Sequence, residues 1–142
     1  MGQLEKQTEI TTFPISGKAL WEEDEDKKPF YMQVAVPESR QDWPKLAEVA
    51  DKWTKAEPKN TEAWFELGLA QEKMAKTELA EQAYKQAFEL DSTNFDALLH
   101  LGILAKNKGD KIEMRRIHLA LVNINEEVAA EYVNMIDCGK DC

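Results

Sequence analysis

The sequence predicts an all-α fold, a short solenoid of stacked antiparallel helix pairs. Apolar side chains recur at three- and four-residue spacing, which places them on one helix face. Two such stretches also repeat with a fixed period of about 34 residues, which is typical of stacked repeat proteins in which each unit buries its apolar face against the next. The matching pairs are Trp64 and Leu98, Leu67 and Leu101, Gly68 and Gly102, Ala80 and Met114, Tyr84 and His118, and Ala87 and Leu121.

The repeated residues resemble the tetratricopeptide repeat, whose signature is W-x2-L-G-x2-Y followed by A-x3-F and a proline. The first unit carries Trp64-x2-Leu67-Gly68 and then Ala80-x3-Tyr84. The second unit keeps the leucine and glycine but matches loosely in its second helix. Departures from the signature are Gln71 and Ala105 at the usual aromatic, and Ser92 and Glu126 at the usual proline.

This resemblance implies a helical domain over residues 42–137, preceded by an arm over 1–41 and followed by a tail over 138–142. The domain divides into a half-repeat helix at 42–57, a repeat at 61–94, a repeat at 95–124 and a capping helix at 125–137.

Polar residues at the expected helix starts support this division. Asp42 suits an N-cap because its side chain can accept a hydrogen bond from a first-turn amide. Pro44 is tolerated in the same turn, where its missing N–H has no helical partner. The next helices are predicted to start at Asn60 or Thr61, at Thr77 and at Asn94. Gly109-Asp110 is a turn signal that ends one helix and begins another.

The last predicted helix has one apolar and one charged face. Ile124, Val128, Tyr132 and Ile136 recur every four residues, with Glu131 on another face. Such a helix closes the open end of a repeat stack. The alternative is a partner-binding helix whose stripe enters another molecule's groove.

The first 41 residues have a different pattern. Thr8–Ile15 and Phe30–Val36 are rich in β-branched and aromatic residues and are punctuated by prolines. This composition predicts extended segments or a weak β-hairpin. The acidic run at 21–28 between them is interpreted as a solvated loop, since it lacks the alternating ligand spacing of a calcium loop. The arm could also lie across the helices.

The net charge limits the classes of partner that the chain is expected to bind. The chain carries −9 at neutral pH, which disfavours nucleic acid as a main partner because phosphate binding requires Lys and Arg. A local basic patch is the exception to this acidic character. It is interpreted as an ordinary solvated face. The alternative is a binding surface for an acidic partner or for the chain's own acidic run. The patch consists of Lys106, Lys108, Lys111, Arg115 and Arg116.

Targeting and membrane signals are absent from the sequence. There is no apolar signal core at the start and no run of membrane-spanning length. We therefore expect a soluble protein, with the cytoplasm favoured and the periplasm as the alternative if a signal was removed.

No catalytic or metal motif is present in the sequence, which has no phosphate loop, no H-E-x-x-H and no nucleophile elbow. We expect no enzyme activity, no cofactor and no metal site. Cys138 and Cys142 have C-x3-C spacing, which is not that of a redox or zinc motif. They are interpreted as tail thiols, with a local disulfide or a metal ligand pair as alternatives.

The resemblance locates a candidate binding surface. In this family the first helix of each repeat lines a concave groove, and fixed repeat positions contact the ligand. Those positions here are Glu62, Phe65, Leu69, Glu72, Lys73, Asp96, Leu99, Ile103, Lys106 and Asn107. Relatives that clamp a C-terminal carboxylate carry Lys and Asn at two of these positions, where this chain has Phe65 and Leu69.

The central residues of this groove are apolar, which suits an extended peptide or an amphipathic helix with apolar anchors. We therefore expect a protein-interaction module, an adaptor, assembly factor or chaperone-like protein that binds another protein or peptide. The alternative is a self-associating structural module or a non-catalytic appendage of a larger complex. The groove would then be covered by a second copy of the chain or by its own N-terminal arm.

Overall fold

The computed structural model describes residues 25–136. Within this range the chain forms helices and no strand, which confirms the all-α prediction. No helix in the described range is both long enough and apolar enough to span a bilayer. A 3-10 turn at Glu25–Lys27 precedes α1 (Phe30–Gln33), α2 (Ala35–Ser39), α3 (Trp43–Ala56), α4 (Thr61–Lys73), α5 (Thr77–Leu90), α6 (Phe95–Lys108), α7 (Lys111–Ile124) and α8 (Glu126–Ile136).

Successive helices pack against one another along the whole stack, and α8 also packs against α6. By their order in the successive pairs, α2, α4, α6 and α8 are called the first-layer helices, and α3, α5 and α7 the second-layer helices. Three predictions concern residues outside the described range. They are those for Thr8–Ile15, for residues 21–24 of the acidic run and for the cysteine-containing tail.

Short polar side chains set most helix starts. Asp42 Oδ1 accepts a hydrogen bond from the Lys45 amide, and Asn60 and Asn94 cap α4 and α6 in the same way. These caps satisfy amides that have no partner inside the helix. The predicted cap at Thr77 is wrong, because Thr77 is the first residue of α5 and no side chain caps that helix.

The N-terminal helices correct the prediction of extended backbone over Phe30–Val36. Phe30 lies one repeat period before Trp64, and it stacks on Trp53 with ring centroids 6.0 Å apart. Val34 is 4% exposed, so burial in the stack outweighs its preference for strands. Pro37 divides the segment into two helices, because its ring would clash with the Gln33 carbonyl in a continuous one.

The core runs through the stack as neighbouring clusters. One cluster joins α5 to α8 around the fully buried Tyr84, Leu121 and Tyr132. A second cluster joins the N-terminal helices to α4 around Leu46 and Trp53. Each helix pair thus buries its apolar face against its neighbours, as expected for repeats that cannot fold alone.

The last helix caps the stack as predicted. Val128, Ala129, Tyr132 and Ile136 are buried, and the Tyr132 hydroxyl donates to the Gly102 carbonyl at 2.8 Å. A Cβ atom at Gly102 would lie 2.6 Å from the Tyr132 ring. In the first repeat the corresponding glycine faces Tyr84 of its own unit. In the second, the ring comes from α8, which accounts for the loose match at His118.

Candidate functional site

Side-chain contacts hold the first-layer helices side by side. The Phe65 ring meets the His100 ring edge-on with centroids 5.4 Å apart, which joins α4 to α6. Lys106 Nζ donates to the Met135 carbonyl at 2.8 Å, which joins α6 to the end of α8. We call the side of α4 and α6 that carries the ten predicted ligand-contacting residues the groove face.

The apolar residues of the groove face are half-buried. Phe65 and Leu99 pack against the central cluster, whereas Leu69 packs against the N-terminal cluster. Ile103 is also partly covered. These side chains therefore have positions fixed by the core and expose only part of their surface.

The polar residues of the groove face are more exposed than its apolar residues. Glu62, Lys73, Asp96, Lys106 and Asn107 are exposed, whereas Glu72 is half-buried. Lys73 Nζ lies 5.9 Å from the ring centroid of Trp43, within range of a cation–π interaction.

A polar network lies beneath this surface, where α4, α5 and α6 meet. The Tyr84 hydroxyl donates to Glu72 Oε1 at 2.6 Å, and His100 Nδ1 lies 2.9 Å from the same oxygen. The Tyr84 and His100 rings stack with centroids 5.1 Å apart. This network fixes the relative position of the two repeats, a role that the spacing of His100 in the sequence did not reveal.

The network shifts the pKa values of Glu72 and Tyr84. Burial alone would raise the pKa of Glu72, but hydrogen bonds with His100 and Tyr84 outweigh it and lower that pKa. Burial and the hydrogen bond to Glu72 raise the pKa of Tyr84 well above its usual range. Glu72 is therefore an ionised acceptor at neutral pH, and Tyr84 is a neutral donor.

A second carboxyl, Glu66, lies on α4 toward α2 and is only 7% exposed. Burial, and then the carboxyl groups of Glu38 and Glu62, raise the pKa of Glu66 to about 8. At neutral pH this side chain is therefore mostly protonated. Glu38 and Glu66 were not predicted from the sequence, since only the fold brings a residue of the presumed arm to α4. The one available signal was that Glu66 lies one repeat period before His100.

Tyr31 is a further residue that was not predicted from the sequence. It lies on α1, one repeat period before Phe65, and is 60% exposed, so it occupies the repeat position that Phe65 holds on the groove face. Met32 on α1 and Val36 on α2 are also exposed, and further large exposed apolar side chains lie on α5, α7 and α8. They are Leu79, Ile112, Leu119, Val122 and Met135.

Three members of the predicted basic patch pair within the chain. Lys108 forms an ion pair with Glu81, and Arg116 forms one with Glu113. Lys106 donates to the carbonyl at the end of α8. The side chains of Lys111 and Arg115 also take part in interactions.

Within residues 25–136, no group of three or more His, Cys, Asp and Glu side chains is arranged to hold a metal ion.

Comparison with known proteins identifies one repeat unit. The family model of the tetratricopeptide repeat matches residues 61–94. No curated protein matches the sequence significantly.

Solved structures share the fold at low identity. The structure of MamA is 18% identical, with a TM-score of 0.70 over 78% of this chain and 66% of that chain. The yeast Sti1 TPR2B domain, described in complex with pHsp70, is 14% identical, with a TM-score of 0.65 over 75% and 89%. The Yersinia enterocolitica type III secretion translocator chaperone SycD is 14% identical, with a TM-score of 0.67 over 87% of each chain.

This chain thus spans just under two thirds of the MamA chain and most of the other two. At these identities the likeness shows the fold. Residues 61–94 thus match the tetratricopeptide-repeat model, and the stacked helix pairs around them share the fold of these solved structures.

Proposed function

We propose that this chain is a protein-interaction module that binds an apolar segment of a partner, a peptide or an amphipathic helix, across the groove face. The observation that carries the proposal is a row of apolar side chains, Tyr31, Phe65 and Leu99, at one repeat position on three neighbouring units. Such a row on a surface rimmed by charge is typical of a binding groove.

The fixed position of Phe65 favours binding. Phe65 is held by the rings of Tyr84 and His100, so it loses little side-chain entropy when a ligand covers it. Tyr31 offers a large amphipathic surface, a residue type enriched among the residues that dominate binding energy.

Helix spacing indicates how ligand anchors should be separated. Packed helices lie about 8–10 Å apart, which matches about five to seven residues of a helical ligand or about three of an extended one. An amphipathic helix with apolar residues one or two turns apart would therefore reach two members of the row.

The relatives agree with this class of function. One of them is a domain in complex with pHsp70, and another is a secretion translocator chaperone. Since this chain has Phe65 and Leu69 where the carboxylate-clamping relatives have Lys and Asn, we expect its ligand to be read through apolar anchors.

Self-association is the second candidate, and one observation favours it. Ile112 is 85% exposed and Leu119 is 59% exposed, and both lie on one face of α7. A second copy of the chain could cover this face. The groove would then be structural, as in a non-catalytic appendage of a larger complex.

Peptide display tests the primary proposal. Peptides selected from a random library on the intact chain should lose binding to Tyr31→Glu and Phe65→Glu, while far-ultraviolet circular dichroism stays unchanged. Leu79→Glu is the control, because Leu79 is similarly apolar and exposed but lies on α5. Selected peptides that bind both groove variants as well as the wild type would contradict the proposal.

A further inference from the structure

We propose that the groove face holds a Lys or Arg side chain of its ligand at three carboxyl groups, Glu38, Glu62 and Glu66, where α2 meets α4. We call these residues the carboxyl cluster. The inference rests on the proposed function and specifies the ligand as a cationic amphipathic segment.

Two helices, α2 and α4, bring these carboxyl groups together. Glu38 lies in α2, while Glu62 and Glu66 lie one turn apart on α4. The Glu38 and Glu66 carboxyl groups are within hydrogen-bonding reach of each other, and Glu62 adds its charge. The cluster thus spans the junction between two first-layer helices.

One oxygen atom of the buried member of the cluster has no hydrogen-bond partner. Glu66 is more than nine-tenths buried, yet no partner among residues 25–136 hydrogen-bonds its Oε2 atom. Buried carboxyl oxygens are rarely left without a partner, because desolvation costs free energy that a hydrogen bond must offset. The charged groups that act on Glu66 are themselves carboxyls, and each of them disfavours its ionisation.

An organic cation is the ligand chemistry that fits this arrangement. A Lys ammonium offers three N–H donors and an Arg guanidinium offers five, enough to bond two or three carboxyl groups. Charge-assisted hydrogen bonds of this kind are about twice as strong as neutral ones. The net charge of −9 would also attract a cationic segment.

The cluster lies beside the apolar row. Glu62 is three residues before Phe65 on α4, and Glu66 follows it directly. A ligand whose apolar anchor covers Phe65 and Leu99 would therefore place a Lys or Arg on its α2 side. The apolar anchor and the cation of the ligand would be separated by about the distance between two packed helices, which equals one to two turns of a helical ligand.

Binding should release a proton. Entry of a cation favours the ionised form of Glu66, so its carboxyl proton leaves to the solvent and the carboxylate faces the ammonium or guanidinium. The groups facing Glu66 are Glu38 from α2, Glu62 from α4 and Tyr84 from α5.

Matched model peptides test the inference on the intact chain. Two acetylated and amidated helical peptides of about 14 residues would share the same Leu and Ala positions, one with Lys and one with Gln at the polar positions. By titration calorimetry at neutral pH, the Lys peptide should bind about tenfold more tightly or better. The double variant Glu38→Gln/Glu62→Gln should remove that difference, whereas Glu127→Gln, on the exposed face of α8, should keep it.

The outcomes separate the two proposals. Equal binding of the two peptides, or a preference for Lys that survives the double variant, would overturn the carboxyl cluster as a cation site. Binding of neither peptide would contradict the proposed groove and the inference with it. Calorimetry in two buffers of different ionisation enthalpy should also show proton release that Glu66→Gln abolishes, and release that persists in that variant would exclude Glu66 as its source.

Discussion

Gly68 lies against the ring of Tyr84 with no room for a side chain between them. A Cβ atom at position 68 would be 2.8 Å from the Cδ1 and Cε1 atoms of that ring. Tyr84 is fully buried, and its hydroxyl donates to Glu72, so the ring is fixed. The glycine of the repeat is therefore required by the close approach of α4 to α5.

The first prediction follows from this contact. Gly68→Ala should lower the free energy of unfolding by about 1–3 kcal/mol through overpacking, although helix propensity alone favours Ala by about 1 kcal/mol. Urea titration measures the difference. The double variant Gly68→Ala/Tyr84→Leu should recover part of the loss, and a single variant more stable than the wild type would refute the steric account.

The cap gives a second prediction. Tyr132→Ala should cost about 3–5 kcal/mol, because the ring is fully buried and its loss leaves a cavity against Gly102. Tyr132→Phe keeps the ring and should cost about 1 kcal/mol for the lost hydrogen bond to the Gly102 carbonyl. Met135→Ala, on the same helix but 41% exposed, is the control and should change stability little. If Tyr132→Ala costs no more than the control, α8 does not stabilise the stack.

The raised pKa of Glu66 leads us to expect that its contribution to stability decreases as pH rises. Its pKa of about 8 in the folded chain exceeds the ordinary value of 4.5, so the folded state binds more protons between these values. The contribution of Glu66 to stability therefore falls as pH rises from about 4.5 to about 8. Glu66→Gln should be neutral at pH 4 and more stable than the wild type by at least ~1 kcal/mol at pH 9. Thermal unfolding across this range would contradict the assignment if the two curves stayed parallel.

The lowered pKa of Glu72 leads us to expect the opposite pH dependence, in which its contribution to stability decreases as pH falls. Its pKa is lowered in the folded chain, so its contribution to stability is present above the ordinary value of 4.5 and is lost as pH falls through the folded value. Glu72→Gln should therefore destabilise the chain by about 1 kcal/mol at pH 7 and by less in acid. The same unfolding series tests this, with Glu127→Gln on the exposed face of α8 as the control. A loss that is unchanged in acid would mean that the ionised carboxylate is not what stabilises the junction.

The sequence was sufficient to predict the stacked helices but not the whole fold. Trp64, Gly68 and their counterparts one period later identified the repeat, because core positions recur with the period of the stack. Phe30 and Val34 obey the same period, but Pro37 and the local β-branched composition concealed them. Local propensity was a poor guide there because burial against Trp53 decides the conformation.

The candidate site was less predictable than the fold. Repeat positions identified Phe65 and Leu99, but they did not indicate that the core covers half of each side chain. Glu38 and Glu66 meet only because α2 packs beside α4, a tertiary contact that neither local segment specifies. Similarly, the ring that packs against Gly102 belongs to Tyr132 of α8, and not to His118, the counterpart of Tyr84 in the second repeat. A comparison of the two repeats alone does not reveal this.

The most direct test of the groove is a nuclear magnetic resonance titration of the isotope-labelled chain with the Lys model peptide. Binding across the groove face should shift the amide signals of Tyr31, Glu62, Phe65 and Leu99 and leave those of Ile112 and Leu119 unchanged. Shifts confined to the outer face of α7, around Ile112 and Leu119, would contradict the account and place the interaction surface on the opposite layer.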